Sequence, residues 1–275
     1  MRTRNRKGTV LGIVSILLSI IVFVVPFAFI ILNAAKNKKE AARLQFSLPE
    51  EWSFVENFIE VATRGDYELL RGLVNSIILT VVAVTIMTVL GAMIGYVQQR
   101  RRSAWTPIVN AMVMAGLIIS PAVVPTFWVL KNLGLYGKMA GLIAIHVAFG
   151  LSFCVLLFRA FVSTIPRELD EAALIDGAGP MKLFFRVIFP LLKSVIVTVI
   201  VVQAVTVFND FTFALYFLPE EPTVQLSLYK FQSPAQKPWN LVFMNVFLVT
   251  IPPLIMYIFF NRQIVAGMTS GAVKG

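Results

Sequence analysis

The chain has 275 residues and a formal net charge of +10, and it is 58% hydrophobic but only 14% charged. With a mean hydropathy of +0.82, it carries more apolar surface than one soluble core buries, so a bilayer must solvate much of it. One Cys and one His exclude an internal disulfide and leave a Cys/His zinc site short of ligands. The basic residues stand in short gaps between apolar runs, which fits membrane topology and not nucleic acid.

Six apolar stretches are long enough to cross a hydrocarbon core, which needs about 20 helical residues. They fall at about 10–32, 75–97, 108–130, 141–161, 195–217 and 241–260. The first follows Arg2, Arg4, Arg6 and Lys7. It is too long for a signal-peptide core and has no A-x-A site after it, so it reads as an uncleaved helix. The gap 33–74 predicts short amphipathic helices on the outer face, at 51–59 and 67–73. Pro121 and Pro125 fall inside the third span. Each removes a backbone donor, giving either a packing kink or a broken helix along a pathway. The fourth span holds His146, read as a hydrogen-bonded interior histidine, and Cys154, read as a small buried residue. The fifth holds Gln203, Asn209 and Asp210. A carboxylate at the bilayer centre costs about 2.5–3.5 kcal/mol, so Asp210 must face a cavity or a partner. The gap 218–240 contains Pro219, Pro222, Pro234 and Pro238, which predict a stiff, non-helical loop.

Alternate gaps differ in Lys and Arg. The two termini and the gaps 98–107 and 162–194 (with Arg159) hold 14, and the other gaps hold 10. Six of those 10 lie in the long gap 33–74, beside 7 acidic residues, and long gaps weigh little in the positive-inside rule. Both termini are therefore expected in the cytoplasm. The whole chain, 1–275, reads as a single transmembrane domain.

No phosphate loop G-x-x-x-x-G-K-[ST] occurs: Gly137-Lys138 is followed by Met139 and lacks the earlier glycine. The spans offer one Asp, one His and one Cys, too few for a membrane-embedded enzyme and few for an ion-coupled carrier. No catalytic residue and no metal ligand is assigned.

The segment 165–190 carries the sharpest local signals. Pro166 suits a first helical turn. Glu168, Asp170 and Glu171 follow where the helix dipole favours negative charge. Gly177 supplies a left-handed stop, Pro180 restarts a helix and Pro190 ends it. The result is two short helices with a fixed break, either a rigid lever for a partner protein or a plain interfacial connector.

Glu171-Ala172-Ala173, with Gly177 and then Ile188 and Pro190, resembles the EAA loop of permease subunits of bacterial ABC importers. Asn75-Ser76, Leu133-Gly134-Leu135, Phe208-Asn209-Asp210 and the C-terminal run from Arg262 to Gly275 look like the sugar-permease group similar to the smaller permease of the maltose transporter. Phe208 departs from the Trp common in relatives, so no role of that indole carries over. The resemblance implies an all-α bundle of six membrane helices with both termini cytoplasmic, in a bacterial inner or plasma membrane and in contact with lipid. It implies a second homologous permease, two ATP-binding cassette ATPases, an extracytoplasmic solute-binding protein and a sugar substrate. ATP and Mg would sit on the partner subunits, with no cofactor on this chain. Glu171, Ala172, Ala173, Asp176 and Gly177 would form the ATPase-coupling helix of the loop 162–194.

Asn209, Asp210 and Gln203 are the candidates for the sugar pathway, because acceptor-rich side chains suit hydroxyls. Asp210 could equally satisfy broken backbone or pair with the partner permease. Tyr229 and Trp239 would touch the binding protein, or lie in a solvated connector. Thr269–Gly275 reads either as a flexible end or as a tail between the ATPases. The alternative from another class is a self-contained secondary carrier or channel.

Overall fold

The computed structural model describes residues 6–101, 103–119, 121–232 and 238–272, with side chains described at 12–101, 103–119, 121–231 and 238–260. The helices are α1 (Arg6–Ser19), α2 (Val25–Ala34), α3 (Lys38–Ala41), α4 (Phe54–Arg100), α5 (Thr106–Ile118), α6 (Val123–Asn132), α7 (Met139–Val162), α8 (Glu168–Ile175), α9 (Pro180–Leu183), α10 (Phe189–Leu191), α11 (Lys193–Phe208), α12 (Thr212–Phe217), α13 (Val224–Gln232) and α14 (Trp239–Ala272). No strand occurs among the described residues. That suits a chain in lipid, where a helix pairs its own backbone groups.

Among the described residues four helical stretches are long and apolar enough to cross a membrane, Gly12–Ala34, Phe54–Arg100, Met139–Val162 and Trp239–Phe260, and the bent pair Pro180–Leu191 and Lys193–Phe208 would make a fifth. The predicted third and fifth spans are each divided. α5 ends at Ile118, Ile119 turns extended at ψ 114°, and α6 begins at Val123, so the break falls at Pro121. Pro125 sits in the first turn of α6, where its missing donor costs nothing. The fifth span breaks between α11 and α12, at Asn209–Phe211.

Two π-helical turns, Ile20–Val24 and Phe184–Ile188, each lie just before a proline, Pro26 and Pro190. Proline cannot donate to the carbonyl four residues back, and its ring crowds that carbonyl. A widened turn accommodates both effects. The second helix of the 165–190 segment therefore passes Pro190 and ends at Leu191. The chain then bends by 78° into α11.

The chain forms two compact units, one of residues 1–70 and 227–251, the other of 71–226 and 252–275. In the first, α4 is interrupted at Arg64–Tyr67, where Gly65, Asp66 and Tyr67 take φ of 61°, 54° and 61°. The expected separate helix at 67–73 does not exist, because helix resumes there and runs on to Arg100. At about 1.5 Å per residue, the stretch 68–100 is about 50 Å long, more than the hydrocarbon core. The buried Asn57 amide donates to the Ala34 and Lys36 carbonyls, both at 2.8 Å, and its oxygen accepts from Asn240 at 2.7 Å. This closes the C-terminal end of α2, whose last carbonyls lack helical partners. Lys36, 1% exposed, donates to the Gln45 carbonyl at 2.6 Å.

The core of the second unit is apolar and built around α7, with Leu142, Cys154 and Phe158 completely buried. Glycines let the helices close on it. A Cβ on Gly91 would lie 2.7 Å from the Cys154 Cβ, and one on Gly116 would lie 2.2 Å from the Ser152 hydroxyl. Lipid gives helices no hydrophobic reason to associate, so close van der Waals contact across small residues has to hold them.

The gap 218–240 is not the non-helical loop expected. Pro222 and Pro234 leave a proline-free stretch between them, and α13 occupies it. Thr223 starts that helix, its hydroxyl accepting from the Leu226 amide. Residues 233–237 lie outside the described residues. α14 continues to Ala272, past the predicted end at 260. The expectation for Thr269–Gly275 concerns side chains outside the described residues.

Candidate functional site

α8 opens on Glu168, Asp170 and Glu171, whose negative charge complements the helix N-terminus. It stops where Gly177 takes φ 75°, with the Gly177 amide on the Leu174 carbonyl and the Ala178 amide on that of Ala173. This is the left-handed glycine closure expected from the sequence. Gly179 is extended and Pro180 starts α9. Glu171, Ala172, Leu174, Asp176 and Gly177 are exposed, and Ile175 is 86% exposed. Ala173 and Ala178 instead turn inward and pack on the core. Of the five residues assigned to coupling, four thus share an open surface and Ala173 holds the helix to the bundle.

α8 is tied to α4 by a polar node. Asp170 accepts from the Tyr96 hydroxyl and pairs with the Arg100 guanidinium at 3.0 Å, with side chains only 10% and 13% exposed. The same guanidinium nitrogen donates to the Ile165 carbonyl at 2.9 Å. Tyr96 and Arg100 are four apart and share a helix face. A groove of about 450 Å³ lies beside the node, lined by Met93, Val97, Leu174, Met181 and Phe184 among others.

A second polar group marks the break in the fifth span. The Asp210 carboxylate accepts from the Phe213 and Ala214 amides at 3.3 and 3.2 Å, capping α12. Its Oδ2 stands 3.5 Å from His146 Nε2, and the imidazole packs edge-on against Phe213. Asn209 is exposed and accepts from the Gln225 amide at 3.1 Å. Gln203 lies apart from both. It is buried and donates to the Gly150 carbonyl on α7 at 3.3 Å. Cys154, beside it, is buried and free.

Asn75 and Ser76 pin the start of the outer segment to α4. Asn75 donates to the Pro222 carbonyl, and Ser76 Oγ accepts from the Val224 amide, both at 2.9 Å. Leu133-Gly134-Leu135 closes α6, with Gly134 at φ 65°. Tyr229 lies exposed on α13, and Trp239 is the half-buried first residue of α14. Sequence reasoning missed the Tyr96–Arg100–Asp170 node and the Gly91–Gly95 contact. A signal for the second was present, since Gly91 and Gly95 form a G-x-x-x-G pair in an apolar helix.

The long apolar helices define a polytopic membrane protein. Residues 87–269 match the family of binding-protein-dependent transport system inner membrane components, and the chain belongs to that family. It is 30% identical to the melibiose/raffinose/stachyose import permease protein MelC of Bacillus subtilis, over 91% of this chain and 91% of that one. It is 32% identical to the trehalose transport system permease protein SugB of Mycobacterium tuberculosis, over 77% and 79%. Its fold is similar to that of a bacterial ABC transporter involved in the import of the acidic polysaccharide alginate, with a TM-score of 0.81 at 19% identity, over 95% of this chain and 98% of that one.

Proposed function

We propose that this chain is one permease of an ATP-driven importer for a sugar or oligosaccharide. It would cross the membrane six times with both termini in the cytoplasm, and form the pathway with a second, homologous permease. Two separate ATPase chains would bind ATP and Mg and drive it, and an extracytoplasmic binding protein would deliver the solute. The observation that carries this reading is α8. It is a short helix with an acidic first turn, exposed Leu174 and Ile175, a fixed left-handed end at Gly177 and a buried ionic anchor at Asp170. Such a projecting, braced helix suits docking into a cleft on an ATPase, and domain closure there would move it as a rigid body. The sugar class rests on the relatives' substrates.

For the pathway, the exposed Asn209 amide at a helix break is the better candidate. Asp210 is already engaged as the cap of α12 and faces His146, which favours its structural role. Gln203 is buried and packed against α7, which favours a structural role for it. Tyr229, exposed on α13, stays a candidate contact for the binding protein; Trp239, half-buried against Phe243, is a weaker one.

Reconstitution tests the reading. In proteoliposomes the chain with its partner permease, ATPases and binding protein should import sugar on ATP addition. The chain alone, given an ion gradient and no ATPase, should transport nothing. Uptake by the chain alone would make it a self-contained carrier.

A further inference from the structure

The polar node beneath α8 leads to a specific assignment. We propose that Asp170, held by Arg100 and Tyr96, is the positioning residue through which α8 moves α4. This inference rests on the coupling reading of α8.

The argument starts from what joins the two helices. α8 presents Glu171, Ala172, Leu174 and Ile175 outward, so those side chains do not attach it to the bundle. Ala173 reaches the core, but on the side facing α4 the packing is interrupted, because the groove of about 450 Å³ opens beside Tyr96, Arg100 and Asp170. Interdigitated side chains transmit displacement, and a void does not. The link that bridges this gap is polar: Tyr96 Oη to Asp170 Oδ1 and Arg100 Nη2 to Asp170 Oδ2. Arg100 also grips the Ile165 carbonyl, so one guanidinium holds the chain on both sides of the turn that leads into α8.

The pair is nearly desolvated, so it escapes the screening that makes surface ion pairs weak. The charges are placed well for both helices, with an anion in the first turn of α8 and a cation in the last turn of α4. Removing one partner of such a buried pair strands the other, which is why a single substitution should be felt. Just along α4, Gly95 meets the backbone of α7. A pull on Asp170 therefore reaches a helix that is itself clamped to the core, and rigid elements in series can carry a two-state movement.

The test uses the complete transporter in proteoliposomes, with ATPases and binding protein, and reads sugar molecules imported per ATP hydrolysed. Asp170→Asn should still co-purify with its ATPases but lower that ratio about tenfold, within the usual range of coupling free energies. Arg100→Met, which also leaves the Ile165 carbonyl without its donor, should lower it at least as far, and the double variant should be no worse than Arg100→Met alone, because the Asp170–Arg100 interaction is already gone. A ratio within twofold of wild type in Asp170→Asn, or additive losses in the double variant, would overturn the proposal. Tyr96→Phe removes one hydroxyl and no charge. It should lower the ratio about threefold while assembly stays intact; loss of assembly in both Asp170→Asn and Tyr96→Phe would make the node a folding contact and overturn the proposal too. Glu171→Lys separates the two levels. If it impairs ATPase retention or coupling while Asp170→Asn does not, the node is wrong and the coupling reading stands. If it leaves both intact, the coupling reading itself fails.

Discussion

Gly95 of α4 meets Arg159 of α7 backbone to backbone. A Cβ on Gly95 would stand 2.8 Å from the Arg159 amide nitrogen and 2.9 Å from the Phe158 Cβ. One turn earlier, Gly91 makes the same kind of approach to Cys154. Neither neighbour is a flexible side-chain end, so the helices themselves would have to separate.

Gly95→Ala should therefore destabilise the protein by about 1–3 kcal/mol, the usual cost of overpacking. Gly95→Leu should prevent assembly. Gly12→Ala in the first membrane helix has nothing within 4 Å of its new methyl and should be neutral or slightly stabilising. Thermal unfolding in detergent compares the three. Equal melting temperatures for Gly95→Ala and Gly12→Ala would show that the α4–α7 contact is looser than described.

Asp210 separates a cap from a binding group. Asp210→Ala removes the acceptor for two α12 amides and should cost about 1 kcal/mol, whereas Asp210→Asn still caps and should recover most of it. A cysteine at 210, with Cys154→Ala in the background, should react slowly with a water-soluble thiol reagent, and sugar should leave that rate unchanged. Protection by sugar would return Asp210 to the pathway.

How much of this was readable in advance depended on how local the cause was. The α8 hairpin was legible because acidic residues, Gly177 and Pro180 act within a turn of themselves. Pro121 marked the break in the third span for the same reason. The break at Asn209–Phe211 has no proline or glycine. It forms because Asp210 caps a new helix beside His146, and that neighbour comes from a different span. Counting prolines in 218–240 misled, because helix formation depends on the spacing between prolines and not on their number. The node of Tyr96 and Asp170 joins residues 74 apart in sequence, beyond any window of periodicity. Gln203 read as a pathway group because polar residues in spans often are; that its amide meets the Gly150 carbonyl of another span has no local sign in the sequence.

Asn57 closes the end of α2 from across the first unit. Asn57→Leu is close in size but leaves the Ala34 and Lys36 carbonyls and the Asn240 amide without their partner. Each stranded buried group costs about 1–3 kcal/mol, so this variant should be among the least stable of any conservative change here. Asn57→Asp keeps an acceptor for Asn240 but turns a donor to carbonyls into an anion, and should be no better. Expression level and melting temperature in detergent check both. A melting temperature within two degrees of wild type for Asn57→Leu would mean that water serves those carbonyls.

Gly177 isolates backbone conformation from contact. Its φ is +75°, and a Cβ there would meet nothing within 4 Å. Any substitution effect must come from the left-handed conformation itself, which costs an L-residue about 1–2 kcal/mol. Asn tolerates this region better than Ala, and β-branched residues tolerate it worst. Stability of the α8 end should fall in the order Gly, Asn, Ala, Val. Protease cleavage within 176–179 reads this directly, since a loosened turn is cut faster. Coupled transport should follow the same order if α8 acts as a rigid lever, because a hinge at 177 lets the helix yield instead of transmitting. Equal transport in all four, alongside graded cleavage, would mean that the angle between α8 and α9 does not matter to the cycle.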